Sequence, residues 1–121
     1  MAAKDELGRR GEDLAAAHLS GKGLTILERN WRCPLGEIDV VARDGSTIVF
    51  VEVKTRSSSL FGHPLEAITT VKLARLRRLA GAWCEAHPGA GGRGAHIRID
   101  AVAVIAPSGA EPVVDHLEGV F

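Results

Sequence analysis

The chain has 121 residues, and fifteen Lys and Arg balance fifteen Asp and Glu, so no overall charge advertises a polyanionic partner. Hydrophobic residues make up 45% of it, with three Phe, two Trp, no Tyr and two Cys. That count excludes a disulfide framework, and Cys33 and Cys84 form no CxxC pair for structural zinc. The composition predicts one soluble domain, residues 1–121, in a reducing, cytoplasmic setting, with a core built from Ala, Val, Leu and Ile.

The first residues carry acids and arginines where a signal peptide needs an apolar core, and no run approaches the roughly 18 apolar residues of a membrane span. Neither export nor membrane embedding is expected. Residues Lys4 to Lys22 read as a helix, because Leu7, Gly11, Leu14, Ala15, His18 and Leu19 recur at helical spacing and Gly21 and Gly23 stop it. Glu12 falls at the edge of that apolar arc, beside Leu19, and so near whatever the helix packs against.

Three strands are predicted next, in "LTILERNWR", "GEIDVVAR" and "STIVFVEVKT". Asp44-Gly45 joins the last two as a two-residue hairpin turn. In that register Arg43 faces Ser46, Asp39 faces Phe50 and Glu37 faces Glu52. Alternation then gives Asp39, Glu52 and Lys54 one face, and puts Ile38, Val40, Val49, Val51 and Val53 on the other. Asp39 and Glu52 become diagonal neighbours about 7–8 Å apart, close enough for their carboxylates to converge on one cation.

Two converging carboxylates beside a lysine suit phosphodiester hydrolysis. Oxygen ligands hold Mg²⁺, with Mn²⁺ as a substitute, against the phosphate charge, and the lysine positions or activates the attacking water. The competing reading is a solvated hairpin face with weak surface ion pairs, since a D…ExK pattern alone is short and common. Arg56 follows Lys54 on the same strand and is a further candidate for phosphate contact.

A polar loop, "SSSLFGH", leads to Pro64, the expected first residue of a long helix running to about His87. Leu65, Ile68, Leu73, Leu76, Leu79, Ala80 and Trp83 form its core face. Lys72 falls inside that arc and Arg75 at its flank. Lys72 either snorkels to the rim or reaches Glu52, Asp39 or a bound phosphate. With Arg77 and Arg78 they make a basic cluster usable for DNA. After the glycine-rich "PGAGGRGA", "HIRIDAVAVIA" is β-like, and "PVVDHL" offers a short final strand. The order is αβββαβ(β), an α/β domain with a mixed β-sheet flanked by helices.

Glu12 in "GRRGEDLAAAHL", "RNWR", "GEIDVVARD" with Asp39, "VFVEVKTR" with Glu52 and Lys54, "FGHPLEAI" followed by Lys72, "IRIDAVAV" and the final "HLEGVF" together resemble the bacterial YraN family. That family is related to archaeal Holliday junction resolvases within the PD-(D/E)xK nuclease superfamily. The resemblance implies a restriction-endonuclease-like core with Asp39 and Glu52 as metal ligands, Lys54 as the catalytic lysine and Glu12 as an additional acid near the metal. Where the superfamily name has proline, this chain has Ile38, and Ile99 replaces the phenylalanine of the family's RFD form. The expected activity is metal-dependent cleavage of DNA, branched or junction DNA included, for which a homodimer would suit. A non-catalytic nucleic-acid-binding module and a protein-interaction domain using the loop Ser57 to Gly62 are the alternatives.

Overall fold

A strand pair that is apolar on both faces from Val40 to Ala42 and from Ile48 to Val51 needs a covering layer on each side. The computed structural model, which describes residues 3–58, 62–90 and 96–120, has that arrangement. Helix α1 (Ala3–Gly21) is followed by strands β1 (Thr25–Cys33), β2 (Gly36–Asp44) and β3 (Thr47–Arg56). Helix α2 (Thr70–Ala86) and strands β4 (His96–Ile105) and β5 (Val113–Leu117) complete the chain. The sheet order is β1-β2-β3-β4-β5, and only β3 and β4 run parallel. That parallel pair is joined through α2, as a parallel connection requires a crossover. Residues 59–61 of the expected loop and 91–95 of the glycine-rich connection lie outside the described residues.

Helix α1 covers one face, packing Ala15 and Leu19 against Val40, Ala42, Val49, Val51, Val53, Val102 and Val104. Helix α2 covers the other, with Leu73, Leu76, Leu79, Ala80 and Trp83 on Val41, Ile48, Phe50 and Ile99. Trp83 is buried edge-on to Phe50, ring centroids 5.7 Å apart. Its indole N–H donates to Glu28 at 3.0 Å, so the polar atom of the largest core side chain is satisfied.

Three expectations need correction. The hairpin turn is Gly45-Ser46, with Asp44 paired to Thr47 and Val40 to Val51. Gly45 has φ 61°, and Ser46 is not in the positive region, the pattern of a type II′ turn with glycine first. Asp44 stays in the strand because Arg98 donates to its carboxylate at 3.0 Å. This shifts the register by two residues, which leaves each side chain on its expected face near the turn.

Second, the long helix does not start at Pro64. Pro64–Ala67 forms a 3-10 turn capped by His63, whose Nδ1 accepts from Leu65 N at 3.2 Å. Ile68 is then extended, and the Thr69 hydroxyl accepts from Lys72 N to start α2 afresh. Third, Ile38 packs with α2, not beside Val40 on the α1 face. The strand changes sides between them, at Asp39.

A buried polar network ties β4 to β5 in mid-sheet and reaches the turn end through Arg98 and Asp44. Asp100 is fully buried and accepts from Arg98 Nε and Nη2 at 2.8 and 2.9 Å and from Gly119 N at 3.0 Å, with His116 Nε2 at 2.7 Å. The alternation of Arg98 and Asp100 on one strand face is therefore a structural pairing.

At the other end, α1 approaches β3 through Gly11. A Cβ there would fall within the Thr55 side chain, so only glycine lets the helix backbone lie against that strand. The contact sets Glu12 beside Lys54 and Thr55. Gly11→Ala is expected to lower stability by about 1–3 kcal/mol through overpacking. Urea denaturation checks this, and an unchanged midpoint would contradict the close approach.

Candidate functional site

The β2–β3 ladder ends at the pair Val40–Val51. Beyond it the strands diverge, and the backbone N–H of Val53 donates to Asp39 Oδ2 at 2.8 Å in place of a ladder partner. Asp39 thus stands by count directly across from Glu52 and not, as the expected turn implied, diagonal to it. The Asp39 carboxylate is held at the fork with one oxygen committed to Val53.

Burial pushes the Asp39 pKa up to about 7, and the facing Glu52 adds to it; the Val53 hydrogen bond works the other way, while Glu12 and Glu37 raise it further. Burial also raises Glu52, against the pull of Lys54, Lys72 and Arg75. Lys54 Nζ lies 3.8 Å from Glu52 Oε1, and both side chains are mostly covered. Glu12 is raised by burial too, with a hydrogen bond from Asn30 and the charge of Arg29 opposing the shift. These acids therefore share one field, and their mutual repulsion is compensated only in part.

A cleft of about 320 Å³ exposes Glu37, Asp39, Glu52, Lys54 and Arg75. A second depression, lined by Glu12, Lys54, Thr55 and Arg56, meets it at Lys54. The fold thus gathers Glu12, Asp39, Glu52 and Lys54 from α1, β2 and β3 around one opening, with Arg56 and Arg75 exposed at its margins. Lys72 is not in the lining. Its Nζ donates to the carbonyl of Ala67 at 3.0 Å, bridging the break before α2, and its charge still reaches Glu52.

Glu37 does not face Glu52. It pairs across the sheet with Arg32, whose Nε donates to Glu37 Oε2 at 2.9 Å. Arg29 holds Asp13 at 2.8 Å and stands 4.0 Å from Glu12. Sequence reasoning passed over both arginines of "RNWR". Their signal was a basic pair on the strand next to the acid-bearing one. Among the described residues, no group of three or more His, Cys, Asp or Glu side chains is arranged to hold a metal ion. Among them, too, no helix is long and apolar enough to cross a membrane.

The comparisons with known proteins agree with one another. A UPF0102 protein of Arthrobacter sp. strain FB24 is 54% identical over 120 residues, 99% of both chains. One from Beutenbergia cavernae is 55% identical over 120 residues, again 99% of both. One from Streptomyces coelicolor is 53% identical over 121 residues, 99% of this chain and 92% of the relative. The model of the uncharacterised protein family UPF0102 matches residues 11–104, a span that holds Glu12, Asp39, Glu52 and Lys54, and this chain belongs to that family.

Proposed function

We propose that this chain is a metal-dependent endonuclease hydrolysing DNA phosphodiester bonds, of the PD-(D/E)xK kind its motifs resemble. The observation that carries the reading is the fork between β2 and β3, where Asp39 and Glu52 face each other with Lys54 3.8 Å from Glu52. A solvated hairpin face has no reason to bury two acids against each other and raise both pKa values.

The donor set suits a small hard cation. Two carboxylates with oxygen-only donors open onto a cleft, and Mg²⁺ is held through one or two carboxylates plus water and substrate phosphate. Asp39 and Glu52 would hold it, with Mn²⁺ as a substitute. Bound there, the metal supplies positive charge against the phosphate. Asp39 is oriented by Val53 N–H and must give up its proton for that role. Lys54 Nζ stands 3.8 Å from Glu52 Oε1, where it would orient the attacking water and the phosphate. Glu12, which shares a depression with Lys54, would accept a proton from that water. Arg56 and Arg75, on the two adjoining clefts, would contact flanking phosphates of a bound strand. The resemblance of its motifs to the junction-resolvase relatives makes branched DNA the first substrate to try.

Asp39→Ala and Lys54→Ala are each expected to lower Mg²⁺- or Mn²⁺-dependent cleavage by about 100-fold or more. Assays on single-stranded, duplex, flapped and four-way DNA check this, and cleavage retained in both variants would exclude the site.

Proton linkage gives a test without substrate. Folded Asp39 keeps its proton up to about 7 but unfolded only up to about 3.8, so stability falls as pH rises through that window. Asp39→Asn keeps an acceptor for Val53 N–H and removes the titration. In chelator it is expected to melt a few degrees above the parent at about pH 8, with the difference vanishing toward about pH 4. Equal melting at about pH 8 would show that Asp39 is not held in a repulsive, desolvated place.

A second reading, a non-catalytic nucleic-acid-binding module, is favoured by the exposed Arg75, Arg77 and Arg78 on α2. It predicts no cleavage with any metal, together with salt-sensitive DNA binding that survives Asp39→Ala. In that case Arg75→Ala and Arg56→Ala would each lower the salt slope by about one. A slope unchanged by both would remove this reading.

A further inference from the structure

Asn30 is the one non-glycine residue among those described with a positive φ, 54°. It sits inside β1, where nothing about a strand calls for that conformation. By count it stands opposite Asp39, between the cross-strand pairs Arg29–Val40 and Trp31–Ile38. Both strands change sides there. Val40 packs toward α1 and Ile38 toward α2, while Glu28 and Trp31, three residues apart on β1, both reach the α2 side. Strict alternation would put residues three apart on opposite faces. The left-handed turn at Asn30 is what lets β1 follow the side-switch of β2.

A glycine would meet that backbone need with less strain, because asparagine only tolerates the left-handed region. The asparagine side chain therefore has a task of its own. Its amide lies close enough to Glu12 to favour the ionised carboxylate, and both residues line a cleft of about 570 Å³ that also holds Arg9, Arg32 and Glu37. Glu12 and Glu37 each border the openings already described, so this cleft continues the candidate site. Its neighbours act in the same direction, Arg29 on Glu12 and Asp13 and Arg32 on Glu37.

We infer that Asn30 is a positioning residue: from a left-handed position across from Asp39, its side-chain amide fixes the rotamer of Glu12 toward the acid pair. An amide N–H donates to the carboxylate and leaves its charge available. The inference rests on the nuclease reading only for what Glu12 does once it is held.

Two variants separate side chain from backbone. Asn30→Gly accepts the left-handed conformation freely, and Asn30→Asp tolerates it but has no N–H to donate when ionised. Both are expected to fold, with melting temperatures within a few degrees of the parent. Side-chain NMR of labelled Glu12 is expected to show one dominant rotamer in the parent and rotamer averaging in both variants. If cleavage is established, both variants should lose about 10–100-fold in kcat, as for other residues that orient a reacting group. Combining Asn30→Gly with Glu12→Gln should then add nothing to Glu12→Gln alone. Glu12 held in the parental rotamer in Asn30→Gly would overturn the inference, leaving Asn30 a backbone residue. Averaged Glu12 rotamers with no cleavage by any form, parent included, would keep the positioning role and remove the nuclease reading instead.

Discussion

The hydrogen bond from Val53 N–H to Asp39 is the interaction on which the rest of the site depends. Past Val40–Val51 the two central strands no longer pair. An unpaired N–H in that half-buried position would be costly, and the Asp39 carboxylate takes it. One side chain thereby ends the ladder, satisfies the strand that leaves it and becomes fixed opposite Glu52. The charge that results is uncomfortable, as the raised proton affinity of both acids records. Sites that keep such repulsion only partly compensated are suited to a cation or an acid–base role.

The surrounding fold holds that fork open and approachable. Gly11 brings α1 against Thr55, which delivers Glu12 to one side. Helix α2, restarted at Thr69, delivers Arg75 to the other and leaves Lys72 buried enough to act on Glu52 only through space. The buried Arg98–Asp100–His116 network ties β4 to β5 alongside the fork, since Asp100 pairs with Val51 and His116 with Val102. Precision at the opening needs that rigidity behind it.

Much of this was legible in the sequence because side-chain alternation is insensitive to a two-residue slip. The turn was placed one residue early, yet Asp39, Glu52 and Lys54 still fell together, and only the diagonal became a direct opposition. Glu12 was legible from helical spacing, and Lys72 from its place inside an apolar arc. What could not be read were the departures from periodicity. The break at Ile68-Thr69 depends on a capping hydroxyl, and Ile38 changes sides because Asn30 and Asp39 interrupt alternation on neighbouring strands. Arg32 on Glu37 was invisible for the same reason, since it requires the β1–β2 register. The side-switch at Asn30 and Asp39 and the Arg32–Glu37 pair lie within or beside the proposed site, where local rules are expected to yield to function.

The central claim is that Asp39 and Glu52 form a divalent-cation site. A crystal structure of the protein soaked in Mn²⁺, with anomalous scattering recorded, tests it most directly. An anomalous peak is expected between the two carboxylates, within about 2.0–2.3 Å of an oxygen from each, lost in Asp39→Ala. Carboxylates that stay apart with no peak between them at saturating Mn²⁺ would contradict it.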